Sequence, residues 1–232
     1  LHRLSVFLTA DENRHTNPVR FYDQDTVVYQ QPLQVGSPLF TERKNLLLGK
    51  GYMKGDSLVS EPMDFSYKNF MSLEDLHNIL IETIFPGVLQ GMPLFELSME
   101  DYDLLYKYMS MYPAESDYPY YGDKYPDNYC KFIMYGDNTD PLPDHIRLFN
   151  KVGLAYGYVI DVAYVVDLER RIEFFLSAVM DVNLNRIYMD DKYAYDSLAF
   201  PFFAELGKAV YNYELNRDRT YHPDLKRFKF DY

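Results

Sequence analysis

The chain has no tryptophan, a single cysteine and no long apolar run. One cysteine, Cys130, excludes an intrachain disulfide and any cysteine-built metal cluster. It sits between Tyr129 and Lys131 at the head of an apolar stretch, so it reads as a small core residue rather than a nucleophile. No segment approaches the ~18 consecutive apolar residues that a membrane-spanning helix needs. Positive charge is in deficit: 23 Lys and Arg against 35 Asp and Glu leave a formal net charge of −12. That balance gives no chain-wide attraction to phosphate backbones, and nucleic acid is not an expected partner. The five histidines, His2, His15, His77, His145 and His222, are scattered, and none lies in a His-Glu-x-x-His spacing, so no metal site is expected. Asp190-Asp191 and Asp101-x-Asp103 lack the glycine-centred loop of a calcium site. Without a glycine-rich phosphate loop, and with no other cofactor motif, no cofactor is expected.

What is present is enough for a substantial core. The 232 residues are 47% hydrophobic, with 24 Tyr and 16 Phe. Tyrosine buries a ring while its hydroxyl stays wet, so this content predicts an aromatic core and rim, or a surface that meets sugars or peptides. Residues 1–60 are punctuated by turn formers (Asp11-Glu12-Asn13, Asn17-Pro18, Gly36-Ser37-Pro38, Gly49-Lys50-Gly51) and predict loops with short strands. Ser72-Leu73-Glu74-Asp75 is a helix cap, followed by Leu73, Leu76, Ile79, Leu80 and Ile84 on one face until Pro86-Gly87. Ser98, with Asp101 three residues on, opens a second helix, whose expected apolar stripe is Leu104, Leu105, Tyr108 and Met109. Residues 112–129, dense in Tyr, Asp, Pro and Gly, predict a surface loop that packs or binds.

The clearest pattern comes late. Residues 146–153, 156–166 and 171–180 read as three strands, with Asp167-Leu168-Glu169-Arg170 as the turn between the last two. Short connections make them antiparallel. The continuous apolar stretch Val162-Ala163-Tyr164-Val165-Val166 predicts a middle strand covered on both faces. Ser197 opens a final helix with Phe200, Phe203, Ala204, Leu206, Gly207, Val210 and Tyr211 inward, and Glu205, Lys208 and Asn212 outward.

A strand ending in Lys151-Val152-Gly153, followed by an antiparallel strand carrying Asp161-Val162-Ala163, a hairpin and a terminal helix, resembles the last third of a β-lactamase or penicillin-binding transpeptidase. In that family a Lys-Thr/Ser-Gly triad lines the active site on an edge strand. Pro143-Asp144-His145 looks like the approach to this strand, and the two earlier helices are similar to helices of class A enzymes. The likeness spans about residues 60–215. It implies an α+β fold, an α/β sandwich of the β-lactamase and transpeptidase type, with an antiparallel sheet flanked by helices and a helical, loop-rich lobe. The corresponding division is a lobe over 1–145 and the terminal strands and helix over 146–232.

The resemblance also implies roles. Lys151 would supply positive charge beside the nucleophile, and the N–H of Leu154 would belong to the oxyanion hole. Val152, Gly153 and Tyr156 would line the substrate, which would add as a strand along residues 150–156. Glu12, in a segment resembling the Ω-loop, would be the deacylating base. Val152 stands where the family has a hydroxyl that bonds the substrate carboxylate, and no Ser-x-x-Lys occurs. The nucleophile is therefore expected on an N-terminal segment outside these residues, with which the chain would associate, and the chain alone is expected to be inactive. The implied whole protein is an exported, periplasmic or cell-envelope serine hydrolase. It would act on β-lactam or peptidoglycan-type small substrates through an acyl-serine. The alternative is a non-catalytic module binding envelope glycan or peptide on the same scaffold.

Overall fold

The structure, a computed structural model, describes residues 14–36, 46–66, 68, 71–92 and 94–232. Glu12 and the short apolar run Leu4–Leu8 lie outside the described residues. The chain separates into two units, one running to Met71 with Arg186–Asp190 added, the other comprising Ser72–Asn185 and Asp191–Tyr232. A lobe boundary at 145, as expected from the sequence, is not where the chain divides. The two helices before it bury their apolar faces on the same sheet that follows it.

The first unit is built from short pairs, as its turn formers predict. β1 (Val19–Asp23) and β2 (Thr26–Gln31) form an antiparallel hairpin with an irregular register at Phe21/Tyr22. β3 (Leu47–Leu48) pairs with β6 (Met63–Asp64). β4 (Gly51–Lys54) lies between antiparallel β5 (Ser57–Val59) and a returning parallel strand, β10 (Ile187–Tyr188).

In the second unit, β7 (Ile146–Ala155), β8 (Tyr158–Asp167) and β9 (Ile172–Asp181) form an antiparallel meander in the order β7-β8-β9. The register runs from Ile146 opposite Asp167 to Ala155 opposite Tyr158, and from Tyr158 opposite Asp181. The first turn is tight because Tyr156 and Gly157 both take positive φ, +57° and +87°. At Gly157 a Cβ would meet Asn183 Cβ at 2.6 Å, so glycine is required twice over. In the second turn the Asp167 carboxylate accepts from the backbone N–H of Glu169 and Arg170, at 2.9 and 2.8 Å.

The middle strand is covered on both faces. On one, Leu148, Val159, Ala163 and Val165 lie under α3 (Phe132–Tyr135), a single distorted turn, and α4 (Phe200–Asn216), which a π turn over Tyr195–Ala199 precedes. On the other, Phe149, Val162, Tyr164 and Val166 meet α1 (Leu73–Ile84), α2 (Met99–Ser110) and the C-terminal residues Leu225 and Phe228. Each large side chain fully removed from water here contributes roughly 1.5–3 kcal/mol. This is an α+β arrangement: helices on both sides of an antiparallel sheet. Gly207 lets α4 come down on α3, since a Cβ there would stand 2.3 Å from the Met134 backbone nitrogen.

Both early helices are capped as the sequence predicts. The Asp75 N–H donates to Ser72 Oγ at 2.9 Å, and Ser98 and Asp101 form a reciprocal capping box. The face of α2 differs from expectation. Tyr102, Tyr106 and Ser110 are the buried residues, while Leu104, Leu105 and Tyr108 are exposed. Tyrosine prevails over leucine here because the core offers its hydroxyl partners: Tyr106 donates to the carbonyls of Thr83 and Ile84. The exposed residues of this stripe line a cleft.

Candidate functional site

An open cleft of about 560 Å³ lies beside β7, wholly within the second unit. One wall is the outward face of α2, Leu104, Leu105 and Tyr108, with Met109, half-buried against the core, at its foot. A second is the segment 112–129, which is arranged by two 3₁₀ turns, Pro113–Glu115 and Gly122–Lys124. Tyr118, Tyr121, Tyr125 and Tyr129 line this wall. The rings of Tyr121 and Tyr125 meet edge to face at 5.6 Å and those of Tyr125 and Tyr129 lie tilted at 4.5 Å, so these three form a contiguous aromatic surface. The floor is Cys130, Lys131, Asn150, Lys151 and Val152.

The start of the tyrosine segment is fastened to β7. The Tyr112 hydroxyl donates to the Ile146 carbonyl, and the Arg147 guanidinium pairs with Glu115 at 2.7 Å while lying over the Tyr112 ring. Glu115 in turn accepts from the Tyr112 N–H at 2.7 Å. The segment that carries the aromatic wall is therefore held to β7 at its start, Tyr112 to Glu115.

Beneath the floor runs a buried polar network. Lys131, fully enclosed, donates to three oxygens: the Met109 carbonyl at the end of α2, the Leu148 carbonyl of β7 and Asn150 Oδ1. Asn150 donates to the Cys130 carbonyl at 2.8 Å and to Asp161 Oδ1 at 2.9 Å. Asp161 Oδ2 accepts from the N–H groups of Phe132 and Ile133, both at 3.1 Å. Burial pulls the Lys131 ammonium down to about 8, against the attraction of Asp161. Burial pushes the Asp161 carboxyl up to about 6, against its hydrogen bonds from Asn150 and the backbone. With every lysine N–H committed, Lys131 is a clamp between α2, the 130–133 segment and β7. Burial also raises the Cys130 thiol, which works against thiolate chemistry at this floor.

The expected site residues divide. Lys151 and Val152 lie on the cleft; the Lys151 ammonium is exposed and donates to the Val152 carbonyl at 2.7 Å. Gly153, Leu154 and Tyr156 continue β7 and its turn but do not line the cleft. Glu12 is outside the described residues. Sequence reasoning missed Lys131 and Asn150 altogether and used Asp161 only as a strand marker. The signal for these was available: a lysine heading the apolar run Phe132-Ile133-Met134, and a carboxylate inside an apolar strand, each demand buried partners. Among the described residues no group of His, Cys, Asp and Glu is placed to hold a metal ion, and no helix is long and apolar enough to cross a membrane.

Compared with protein-family models, with curated proteins and with solved structures, the chain finds no match.

Proposed function

We propose that the cleft beside β7 is the substrate side of an acyl-serine hydrolase of the β-lactamase and penicillin-binding-protein type. In this reading the specific fold is the α/β sandwich of that family, and the whole protein is exported to the periplasm or cell envelope. The observation that carries it is the position of Lys151-Val152-Gly153: it lies on an outer strand of the sheet, and its first two residues form part of the cleft floor. Lys151 then stabilises negative charge developing on the reacting carbonyl, and β7 offers its outer edge to an extended β-lactam or peptidoglycan-like amide. No Ser-x-x-Lys occurs in the 232 residues, so the nucleophile comes from a segment outside them. The amine must sit one helical turn from the hydroxyl to take its proton.

The test is labelling of the protein expressed from its whole reading frame with a fluorescent penicillin and with a fluorophosphonate. One serine outside residues 1–232 is expected to acylate, and Lys151→Ala to slow acylation by about 10²-fold or more. Absence of label from the whole protein, or a rate indifferent to Lys151→Ala, would overturn the reading.

A second reading, a non-catalytic module binding envelope glycan or peptide, is favoured by Val152 in place of a hydroxyl residue and by the exposed tyrosine wall. It predicts ligand binding without acylation in the same experiment.

A further inference from the structure

Two tyrosine rings on the cleft wall lie closer together than three other tyrosine pairs of the fold. The Tyr125 and Tyr129 rings are 4.5 Å apart between centroids and tilted by 47°. Tyr121 and Tyr125 are 5.6 Å apart and nearly perpendicular, Tyr193 and Tyr195 are 5.4 Å apart, and the buried Tyr102 and Tyr106 are 6.0 Å apart. Tyr129 is exposed and Tyr125 half-buried, so a small oxidant in solvent reaches both phenols.

The chain between the two rings is fastened at each residue. The Tyr129 N–H donates to the Pro126 carbonyl at 2.9 Å, and the Lys131 N–H to the Asn128 carbonyl at 2.9 Å. Asp127 Oδ2 accepts from the Leu142 N–H at 3.2 Å, and Asn128 Nδ2 donates to the Tyr135 carbonyl at 3.1 Å. Pro126 fixes its own φ directly after Tyr125. Past the second ring, the buried Lys131 ties the segment to α2 and β7. The folded chain thus holds in contact two phenols that a free chain brings together only in passing.

We propose that Tyr125 and Tyr129 form a site of oxidative cross-linking, which couples ring carbon to ring carbon as a dityrosine when the protein meets hydrogen peroxide and a haem peroxidase. The peroxidase takes one electron and one proton from each phenol, and one hydrogen peroxide is reduced to two waters. The two phenoxyl radicals pair their electrons in a new bond between the carbons ortho to each oxygen. Each of these carbons then gives up its hydrogen, which returns to the phenol oxygen as the ring regains aromaticity. The net change is the loss of two hydrogen atoms. The product is a single covalent two-ring face on the cleft wall. Two side reactions compete: the Cys130 thiol, next in the chain, offers a thioether to the Tyr129 radical, and the exposed Tyr118 and Tyr120 offer coupling between molecules. The site stands on the ring geometry alone and is independent of the hydrolase reading.

The experiment is brief treatment of the 1–232 chain with hydrogen peroxide and a haem peroxidase, followed by tryptic mass spectrometry and dityrosine fluorescence of the monomer. No Lys or Arg lies between Lys124 and Lys131, so one tryptic peptide, residues 125–131, carries both rings. That peptide is expected to lose two hydrogens, and the monomer to gain dityrosine fluorescence. Tyr125→Phe and Tyr129→Phe, which keep the rings, should each abolish both signals. Cys130→Ser should leave both in place. A synthetic peptide of residues 125–131, oxidised at the same concentration, should give much less of the bond within one chain. An unmodified 125–131 peptide from the oxidised protein, a two-hydrogen loss that disappears in Cys130→Ser, or an equal yield from the synthetic peptide would overturn the proposal.

Discussion

Lys131 and Asp161 are joined through one side chain, that of Asn150, which accepts from the ammonium at 2.8 Å and donates to the carboxylate at 2.9 Å. The two charges are thus buried together without touching, and the three residues tie the end of α2 and the 130–133 segment to β7, which carries part of the cleft floor, and to β8 behind it.

The buried carboxylate makes stability depend on pH in a specific direction. The Asp161 carboxyl is raised to about 6 from an ordinary value near 4. Between those values the native state binds more protons than the unfolded one, so Asp161 stabilises the fold below about pH 4, and that contribution is lost as pH rises through about 6. Urea unfolding at pH 4.5 and 6.5 should show this component, on the order of 2 kcal/mol, and Asp161→Asn should remove it. An identical pH difference in wild type and variant would contradict the assignment.

Removing the lysine should cost more than it relieves. Lys131→Met deletes a buried charge of similar length but leaves the carbonyls of Met109 and Leu148 and the Asn150 amide oxygen without a donor, and Asp161 without a cation. A loss of about 3 kcal/mol or more is expected by chemical denaturation. The wild type should also gain stability as pH rises from about 8 toward 10, because the lowered ammonium is easier to neutralise in the native state. The variant should lack that rise.

The orientation of α2 separates two kinds of hydrophobic residue four positions or fewer apart. Leu104→Gln, on the cleft side, should change stability by no more than about 0.5 kcal/mol. Tyr106→Ala, beneath it in the core, should cost about 3–5 kcal/mol. A reversal of these two values would restore the stripe that the sequence pattern suggests.

Gly207→Ala sets helix propensity against space. Alanine favours a helix by up to about 1 kcal/mol over glycine. Here its Cβ would stand 2.3 Å from Met134 N, 2.8 Å from Met134 Cγ and 2.9 Å from Ile133 Cγ2. Backbone cannot yield as a flexible side chain can, so the expected outcome is destabilisation by about 1–3 kcal/mol, read as a lower midpoint in thermal or urea unfolding.

Among the described residues β9 has no strand on its outer side, although it is ten residues long. A long open edge is a template for pairing, so the 1–232 chain should self-associate at micromolar concentration in sedimentation experiments. Val179→Lys, at an exposed position of β9, should shift it toward monomer.

The sequence by itself determined the three-strand meander, the caps of α1 and α2 and most of the inward face of α4, but it put the first turn two residues early and opened the last helix at Ser197, which lies inside the π turn ahead of α4. These depend on local rules: apolar runs joined by short returns, a carboxylate two or three residues before the N–H groups it accepts from, a hydroxyl three residues before a free helix N–H. The Lys151-Val152-Gly153 strand was legible for the same reason, as a run of extended residues with a short return. The strand ends fell one or two residues away from the pattern because Tyr156, Gly157 and Arg171 belong to the turns. Only the tertiary structure decided which face of α2 turns inward, since Leu104 and Tyr106 are both good helix-face hydrophobes and the choice depended on carbonyls in α1 that accept the tyrosine hydroxyl. It alone brought Lys131, Asn150 and Asp161 together, because a buried lysine is tolerable only where partners distant in sequence converge on its three donors.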